Sequence, residues 1–210
     1  MIFQQIPSGG DRNYGYVVGC EETGKAAVVD PSPDPHPCYD KIKELGLEAV
    51  YVINTHSHYD HAGGNAFFKK KSKARVVGCG SGSDLTVADG DSLELGQLTL
   101  KFIHTPGHTM DSMCVLVDKE LVSGDTLFVG KVGGTYSRRD AEVEFESLKK
   151  LLDLADDIRV WPGHNYGVKP TSTIGEERQT NPFLLRIGDF EEFFWLKENW
   201  AAYKLEHGIK

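Results

Sequence analysis

The amino-acid sequence predicts an α/β or α+β fold in which helices cover a sheet-rich interior. Runs of β-branched and apolar residues recur along the chain and predict strands, among them YGYVVGC, KAAVVDP and EAVYVINTH. Segments with apolar residues at helical spacing lie between these runs, and the longest is DAEVEFESLKKLLDLADD. Because helices follow strands throughout, we expect a layered packing of helices on sheet.

The first half of the chain begins with strands. YGYVVGC and KAAVVDP flank the turn segment EETG, which predicts a hairpin. DPHPCYDKIKELG predicts a short helix, because its prolines come early and Gly46 provides a stop. EAVYVINTH predicts a buried strand that ends at a cluster of histidines, and GGNAFFKKK predicts a helix that leaves this cluster.

The second half repeats this order. ARVVGC, DSLELGQLTLKFIHTPG and SMCVLVDKELVSGD predict strands, and DAEVEFESLKKLLDLADD predicts a long helix. The apolar stripe of that helix consists of Val143, Leu148, Leu151, Leu152 and Leu154. IRVWPGH predicts a short strand that again ends in a histidine. The aromatic-rich C-terminal segment predicts an amphipathic helix at about residues 188–206, which packs on the domain or, as a second interpretation, forms a homodimer contact.

Composition limits the classes of function. With 210 residues, 40% of them hydrophobic, the chain is expected to form a single domain over residues 1–210. The net charge of −8 does not favour a nucleic-acid partner. The N-terminal segment has no basic region followed by an apolar core, and no apolar run reaches the about 18 residues that a membrane span requires. The isolated cysteines Cys20, Cys38, Cys79 and Cys114 are typical of reduced thiols, so we expect a cytoplasmic protein without a membrane partner.

The segment THSHYDHAGGN, residues 55–65, predicts a metal site. His56 and His58 are two positions apart, so in an extended segment both side chains point the same way and can bind one ion. Asp60 and His61 reach a second position beside the first if the chain turns after the strand. Imidazole and carboxylate donors without a thiolate suit zinc, iron or manganese. Ordinary hydrogen-bonded histidines are the alternative, but they do not account for the later motifs HTPGHT, GDTLF and PGHN.

Four motifs, THSHYDHAGG, HTPGHT, SGDTLF and WPGHNY, resemble in order and spacing the metal-binding motifs of the metallo-β-lactamase superfamily. The resemblance is closest to the glyoxalase II branch and covers residues 13–183. It implies a four-layered αβ/βα sandwich, with two facing mixed sheets, helices outside and the metals at one sheet edge. It also implies two divalent metal ions, zinc and/or iron, with manganese as a further choice.

The resemblance assigns each ligand by position. The ligands of the first metal are implied to be His56, His58 and His108, those of the second Asp60, His61 and His164, and the bridging ligand Asp125. A shared carboxylate is reasonable here, because two nearby cations need negative charge between them. Asp60 is also the expected catalytic residue, because it would orient a hydroxide between the metals for attack on a carbonyl carbon.

A metal-dependent hydrolase of the glyoxalase II-like type is the first functional hypothesis. Its substrate would be a small thioester or ester, with a glutathione conjugate as one choice. Tyr166 falls where the family places a tyrosine that contacts glutathione, and Lys131 is either a cation for a substrate carboxylate or an exposed loop lysine. Two departures argue for the broader substrate class: we expect no separate C-terminal helical domain, and GKVGGT replaces the usual G-C-G after the bridging aspartate.

An oxygenase is the second hypothesis. TSTIGEERQTNP, residues 171–182, resembles the tail of persulfide dioxygenases, which hold one iron with two histidines and an aspartate. In that case only His56, His108 and Asp125 would bind iron. The loop after Asp125 lacks the arginine and the Asp-Phe pair of those enzymes. A non-catalytic metal-binding module is a third, weaker alternative, because it has no need for seven polar groups at one point.

Overall fold

A computed structural model describes residues 1–209 of the chain. The first half contains a six-stranded sheet whose strands lie side by side in chain order. These strands are β1 (Ile2–Pro7), β2 (Tyr14–Gly19), β3 (Lys25–Val29), β4 (Glu48–Ile53), β5 (Arg75–Gly78) and β6 (Leu85–Thr86). The pairs β1–β2 and β2–β3 are antiparallel, whereas the pairs from β3 to β6 are parallel. The sheet is therefore mixed.

The second half contains another six-stranded sheet and a small hairpin. The strands are β7 (Ser92–Leu95), β8 (Leu98–His104), β9 (Met113–Val117), β10 (Glu120–Gly124), β11 (Leu127–Phe128), β12 (Lys131–Val132), β13 (Arg159–Pro162) and β14 (Ser172–Thr173). The sheet order is β14-β13-β10-β9-β8-β7, and β11 pairs with β12 as the hairpin. Because β10 and β13 are parallel while the other pairs are antiparallel, this sheet is also mixed.

Six α-helices and one 3₁₀ helix, Leu184–Arg186, accompany the sheets in the described chain, residues 1–209. The α-helices are α1 (His36–Glu44), α2 (Tyr59–Ala62), α3 (Asn65–Ser72), α4 (Arg138–Leu152), α5 (Ile174–Thr180) and α6 (Phe190–His207). None of the helices within residues 1–209 combines the length and the apolar character needed to cross a membrane.

The two sheets face each other across a shared apolar core. Tyr16 and Val18 of β2 point into this core, where they join Phe102 of β8 and Val115 of β9. Val17, between the two β2 residues, points to the other side of its sheet and joins the core beneath α1 and α3. This alternation is the two-residue period of a strand, and it explains why β2 is buried on both faces.

Helices cover the outer face of each sheet. Ile42 of α1 and Phe68 of α3 pack on the first sheet. Leu148 of α4, Ile174 of α5 and Phe193 of α6 pack on the second. The order of layers is helix, sheet, sheet, helix, and the predicted αβ/βα sandwich with two mixed sheets is confirmed.

Helix α4 differs from its predicted apolar stripe both in length and in its buried face. It ends at Leu152, which is only half-buried, so Leu154 lies outside the helix. Leu148 and Leu151 are buried as expected, but Val143 is only half-buried and Glu144 is completely buried. A charged residue gives no hydrophobic signal, so the sequence pattern placed the buried face slightly off its true position. The buried Glu144 has a partner on α6, which the chain reaches only about 50 residues later.

The C-terminal helix, expected at about residues 188–206, is α6. It begins after Asp189, whose side chain accepts hydrogen bonds from the amides of Glu191 at 2.8 Å and Glu192 at 3.3 Å. It ends at Gly208, which has a left-handed φ of 64°. Phe193 and Leu196 bury its inner face against the second sheet, as the first interpretation expected. A single domain, a homodimer contact, the absence of a nucleic-acid partner and a cytoplasmic location stay predictions.

Strand ends from both sheets meet at one edge of the sandwich. The backbone amide of Met113 donates to the carbonyl of Thr55 at 2.8 Å, which connects the start of β9 to the loop after β4. The amide of Gly163 donates to Gly124 at 2.8 Å, and the amide of Tyr14 donates to Gly163 at 2.9 Å. These hydrogen bonds bring the loops after β4, β10 and β13 together, which places their polar residues at a common site.

Candidate metal centre

All seven predicted ligands lie together at this edge. Their donor atoms form three groups whose members lie within 4.8 Å of one another: His56, His58 and His108; His56, His61 and Asp125; and Asp60, His61 and His164. Two of these groups have the same members as the ligand sets implied by the sequence. They are His56, His58 and His108, called the first group below, and Asp60, His61 and His164, called the second group. Strands β4, β8, β10 and β13 each lead into one part of the site, which explains how residues up to 108 positions apart meet.

In the first group, three imidazole nitrogens point at one another. The Nδ1 atom of His58 lies 2.9 Å from Nε2 of His56 and 3.1 Å from Nε2 of His108. The other nitrogen of His108, Nδ1, donates to the carbonyl of Gly134 at 2.8 Å. Because a carbonyl can only accept, a neutral His108 carries its proton on Nδ1 and directs the lone pair of Nε2 toward the group. This arrangement suits a cation.

The second group has the same design. The Nε2 atoms of His61 and His164 are 3.3 Å apart. Their Nδ1 atoms point outward, that of His61 to Asp30 Oδ2 at 2.9 Å and that of His164 to the carbonyl of Asp11 at 2.9 Å. Asp60 Oδ2 lies 3.5 Å from Nε2 of His164 and 3.7 Å from Nε2 of His61. Outward Nδ1 partners of this kind orient metal-binding histidines in proteins.

Asp125 lies between the two groups. Its Oδ2 atom is 3.3 Å from Nε2 of His164 and 3.7 Å from Nε2 of His108, so it reaches one member of each group. Its Oδ1 atom lies 3.4 Å from Nε2 of His61 and has no hydrogen-bond partner within residues 1–209. A buried carboxylate oxygen without a partner is costly, and a bound cation removes that cost. The residues present therefore fit a metal site.

The protonation of the site follows from burial and charge. Burial and the neighbouring charge of His61 lower the pKa of His56 to about 2, which keeps that imidazole neutral and able to bind a metal. Burial alone would lower the pKa of His61, but Asp30 raises it to about 9. Burial alone would raise the pKa of Asp125, but the hydrogen bond with His164 and the charge of His61 lower it below its usual range. Burial alone would lower the pKa of His164, but the hydrogen bond with Asp125 raises it. A bound cation would compete with protons at His61 and His164.

Two supporting residues lie outside the predicted motifs. Asp30 is buried and accepts hydrogen bonds from the Thr55 amide at 2.8 Å and from the Thr55 hydroxyl at 2.5 Å, in addition to its contact with His61. Asn13 Nδ2 donates to Asp60 Oδ2 at 3.1 Å, which holds the carboxylate beside the second group. Asp30 directly follows β3, so a signal was available: like the ligands, it is a polar residue at the end of a strand.

Tyr166 and Lys131, the predicted substrate contacts, lie together beside the second group. The ring of Tyr166 stacks on His164, with centroids 4.6 Å apart and planes 3° apart. Its hydroxyl donates to Asp11 Oδ2 at 2.6 Å. Lys131 Nζ lies 3.8 Å from the Tyr166 ring centroid, and Arg12 Cζ lies 4.7 Å from it. Lys131 makes no salt bridge with any residue in the described part of the chain, so its charge is available to a ligand.

The segment of residues 171–182, called the tail below, contacts the loop that follows Asp125. Glu177 in the tail is buried, and its Oε2 atom accepts from the amide of Gly130 at 2.9 Å. Asn181 Nδ2 donates to the same Oε2 at 2.8 Å and to the carbonyl of Lys131 at 3.2 Å. In the sequence these two segments are separate evidence on the substrate class, but in the structure they form one unit.

A cavity of about 490 Å³ adjoins this unit, between the segment 131–138 and α6. Its walls combine cations with aromatic rings, and they include Lys131, Tyr136, Arg138, Phe194, Lys197 and Trp200. The carbonyl of Gly134, which also lines the cavity, accepts the hydrogen bond from His108. The cavity therefore begins next to the first group of histidines.

Comparison with known proteins agrees with this geometry. The profile of the Metallo-beta-lactamase superfamily matches residues 8–84 and 80–164. The chain belongs to this superfamily. A hydroxyacylglutathione hydrolase of Polaromonas sp. (strain JS666) is 35% identical over 178 residues, which cover 79% of this chain and 67% of the relative. A protein of the same name from Rhodospirillum rubrum is 31% identical, over 87% of this chain and 86% of the relative.

Among solved structures, this superfamily member is similar to ETHE1 from Myxococcus xanthus. The TM-score is 0.88 and the identity 33%, over 95% of this chain and 91% of that one. The predicted resemblance to the glyoxalase II branch is confirmed by the hydroxyacylglutathione hydrolases, and with it the prediction of a metal-dependent hydrolase. The similarity to ETHE1 agrees with the resemblance of the tail to persulfide dioxygenases.

Proposed function

We propose that this protein hydrolyses a small thioester, a glutathione conjugate being the first candidate, with two divalent metal ions. The observation that carries the proposal is the position of Asp125, a buried carboxylate that reaches histidines of both groups and has an oxygen without a partner in residues 1–209. A single ion in the first group leaves Asp60, His61 and His164 without a function. Two ions use every donor.

The proposed ligands divide between the two ions. The first ion would be held by His56, His58 and His108, the second by Asp60, His61 and His164, and both by Asp125. Nitrogen and oxygen donors of this kind accept zinc, iron or manganese, so the metal supply decides among them. The ions supply Lewis acidity when bound, which makes water more acidic and polarises a carbonyl group.

Asp60 is proposed as the catalytic carboxylate. Its side chain is 43% exposed, in contrast to the buried His61 beside it, so it is accessible to a water molecule or a substrate. Asn13 holds one of its oxygens at 3.1 Å. From this position Asp60 can accept a hydrogen bond from a water molecule and orient it toward the carbonyl carbon of a bound thioester.

Lys131 and Tyr166 are proposed to bind the thiol carrier. The hydroxyl of Tyr166 already donates to Asp11, so the half-buried ammonium of Lys131 is the group left for a carboxylate of the substrate. The cavity beside Lys131 has the volume for the remainder of a tripeptide-sized carrier. Of the cations in the cavity wall, Arg138 already pairs with Glu191 and Lys197 with Glu144, so Lys131 is the cation that we assign to a glutathione carboxylate.

A persulfide dioxygenase is the second candidate function. It is favoured by the similarity to ETHE1 and by the contact of the tail with the loop after Asp125. In this candidate a single iron would be held by His56, His108 and Asp125. The loop after Asp125 argues against it, because this loop lacks the arginine and the Asp-Phe pair of those enzymes, so substrate recognition would have to lie elsewhere.

Metal analysis combined with two assays tests the proposal. Purified protein is analysed for zinc, iron and manganese, then assayed with lactoylglutathione for thioester cleavage and with glutathione persulfide for oxygen uptake. About two metal ions per chain with thioester cleavage support the proposal. One iron per chain with oxygen uptake contradicts it. The variant Asp125→Ala should lose metal at both positions, and full metal content in that variant contradicts the bridging assignment.

A further inference from the structure

Lys197 connects the C-terminal helix to the metal centre. Its side chain is only 9% exposed and forms a salt bridge with the completely buried Glu144 of α4. Its Nζ atom also donates to the carbonyl of Gly133 at 2.7 Å. Lys197 therefore connects α6 to the loop that follows Asp125.

The peptide that Lys197 contacts lies directly against the predicted ligands. A Cβ atom on Gly133 would be 2.1 Å from the carbonyl oxygen of Asp125 and 3.1 Å from Cβ of His108. The next residue, Gly134, accepts the hydrogen bond from His108 Nδ1. One short segment therefore joins the Lys197 ammonium to the imidazole of His108.

Glu144, the partner of Lys197, packs on the other side of the same ligand. Gly107 precedes His108 and has a φ of 144°, and a Cβ atom there would lie 2.3 Å from Cβ of Glu144. Helix α4 thus touches the backbone just before His108, while Lys197 holds the carbonyl of Gly133, the residue before the hydrogen-bond acceptor of His108. The buried pair of Lys197 and Glu144 therefore contacts two backbone segments next to His108, one at Gly107 and one at Gly133.

We propose that Lys197 is a positioning residue for His108, and this inference rests on the proposed assignment of His108 as a metal ligand. By holding Gly133, Lys197 keeps the carbonyl of Gly134 aligned with Nδ1 of His108. That alignment keeps the proton on Nδ1 and the lone pair of Nε2 directed at the first metal position. The C-terminal helix then contributes to the affinity of the first ion without touching it.

A structural role of the ion pair must be separated from this positioning role. Lys197→Met alone leaves the buried carboxyl group of Glu144 without its partner, which destabilises the fold. The double variant Lys197→Met/Glu144→Gln removes both charges and nearly preserves the shape, so it avoids that penalty. It still lacks the donor to Gly133. The matched control is Lys149→Met, an exposed lysine of α4 paired with Glu146.

The test is a cobalt(II) titration of metal-free full-length protein in competition with a chelator. Cobalt absorption reports each binding step, the variant His164→Ala identifies the step that belongs to the second site, and urea unfolding reports stability separately. We expect the double variant to bind cobalt at the first site up to about 10-fold more weakly, because the Gly134 carbonyl that orients His108 loses its support, whereas the direct hydrogen bond to His108 remains. Its second site should change much less, and Lys149→Met should match the wild type at both sites.

Wild-type affinity at the first site of the double variant would overturn the inference, and so would an equal loss at both sites. If Lys197→Met does not fold, the cobalt affinity of the double variant alone tests the positioning role of Lys197. Thioester turnover has no part in this measurement. A wild type that binds two cobalt ions but cleaves no thioester contradicts the proposed function only, and one that binds no cobalt at the first group overturns both.

Discussion

Asp30 Oδ2 lies 2.9 Å from Nδ1 of His61, and both side chains are buried. The contact fixes the orientation of the imidazole and directs its Nε2 atom toward His164. Asp30 itself is held by the amide and hydroxyl of Thr55. A carboxylate outside the ligand motifs therefore sets the position of one proposed ligand of the second ion.

The first prediction concerns this carboxylate. Asp30→Asn should weaken metal binding at the second position by about 10- to 100-fold, because the outer partner of His61 loses its charge. Equilibrium titration of metal-free protein with zinc measures the effect. Asp34→Asn, at an exposed aspartate four residues later, is the control and should bind like the wild type. Equal affinity in Asp30→Asn would mean that His61 needs no carboxylate support.

The second prediction concerns Gly163, which precedes His164. A Cβ atom at this position would lie 2.3 Å from Asp125 Oδ1 and 2.8 Å from Cε1 of His61. Gly163→Ala should therefore displace the carboxylate of Asp125, the proposed bridging ligand, and reduce both metal content and turnover by about 10-fold or more. Gly188→Ala serves as the control, because a methyl group there meets nothing within 4 Å. Metal analysis of both variants measures the effect. Equal metal content in Gly163→Ala and Gly188→Ala would contradict the prediction.

Much of this molecule was predictable from local sequence. The strand pattern and the polar residues at strand ends indicated the edge where the site lies, and the two-residue spacing of His56 and His58 indicated a shared ion. His61 and His164 converge although they are 103 residues apart. Their meeting was predicted only because the motifs resemble those of a known superfamily.

The supporting contacts were not predictable in this way. Glu144 meets Lys197 across 53 residues, and Gly130 meets Glu177 across 47. Each contact pairs residues that are ordinary in their own segments, and a charged residue in a helix is usually assigned to the solvent side. Only the packing of α4 and α6 on the second sheet shows that Glu144 is buried.

The third prediction concerns Lys131 and pH. Burial and the nearby charges of Lys204 and Arg12 lower the pKa of Lys131 to about 8, so its ammonium is charged at pH 7 and is lost as the pH rises through 8. KM for a thioester with a carboxylate should therefore rise above pH 8, by at most about 10-fold per pH unit. In Lys131→Arg the cation persists and KM should stay level.

A thioester without a carboxylate is the control substrate for Lys131. Its KM should show no such rise in the wild-type enzyme. A similar rise with both substrates would mean that another group titrates and that Lys131 does not bind the carboxylate.

The fourth prediction concerns Glu177, which accepts hydrogen bonds from Gly130 and Asn181. Glu177→Ala removes the acceptor of the Gly130 amide and one of the two acceptors of the Asn181 side-chain amide, which costs about 1–3 kcal/mol of stability. It should also raise KM for the thioester, because the loop that carries Lys131 loses its support. Steady-state kinetics and urea unfolding measure the two effects. The control is Glu176→Ala, at the exposed neighbour, which should change neither KM nor the unfolding free energy by much. An unchanged KM in Glu177→Ala would show that the tail does not position the loop.

The last prediction concerns Glu144 and the pH dependence of stability. Burial raises the pKa of Glu144 to about 7 in the folded protein, although Lys197 opposes the shift, whereas an exposed glutamate titrates near 4.5. The folded state therefore holds the proton more tightly between these values. The stability that this group contributes is complete below pH 4.5 and is lost as the pH rises through 7.

The expected size of the Glu144 effect follows from the difference between the two pKa values, and it is about 3 kcal/mol. Urea unfolding of chelator-treated protein between pH 4.5 and 8 should show that decline in the wild type relative to Glu144→Gln, which has no carboxyl to titrate. Glu142→Gln, at an exposed position on the same helix, should follow the wild type because its carboxyl is in water in both states. Parallel curves of unfolding free energy against pH for the wild type and Glu144→Gln would contradict this prediction. They would mean that Lys197 keeps the buried carboxylate charged over the whole range from pH 4.5 to 8.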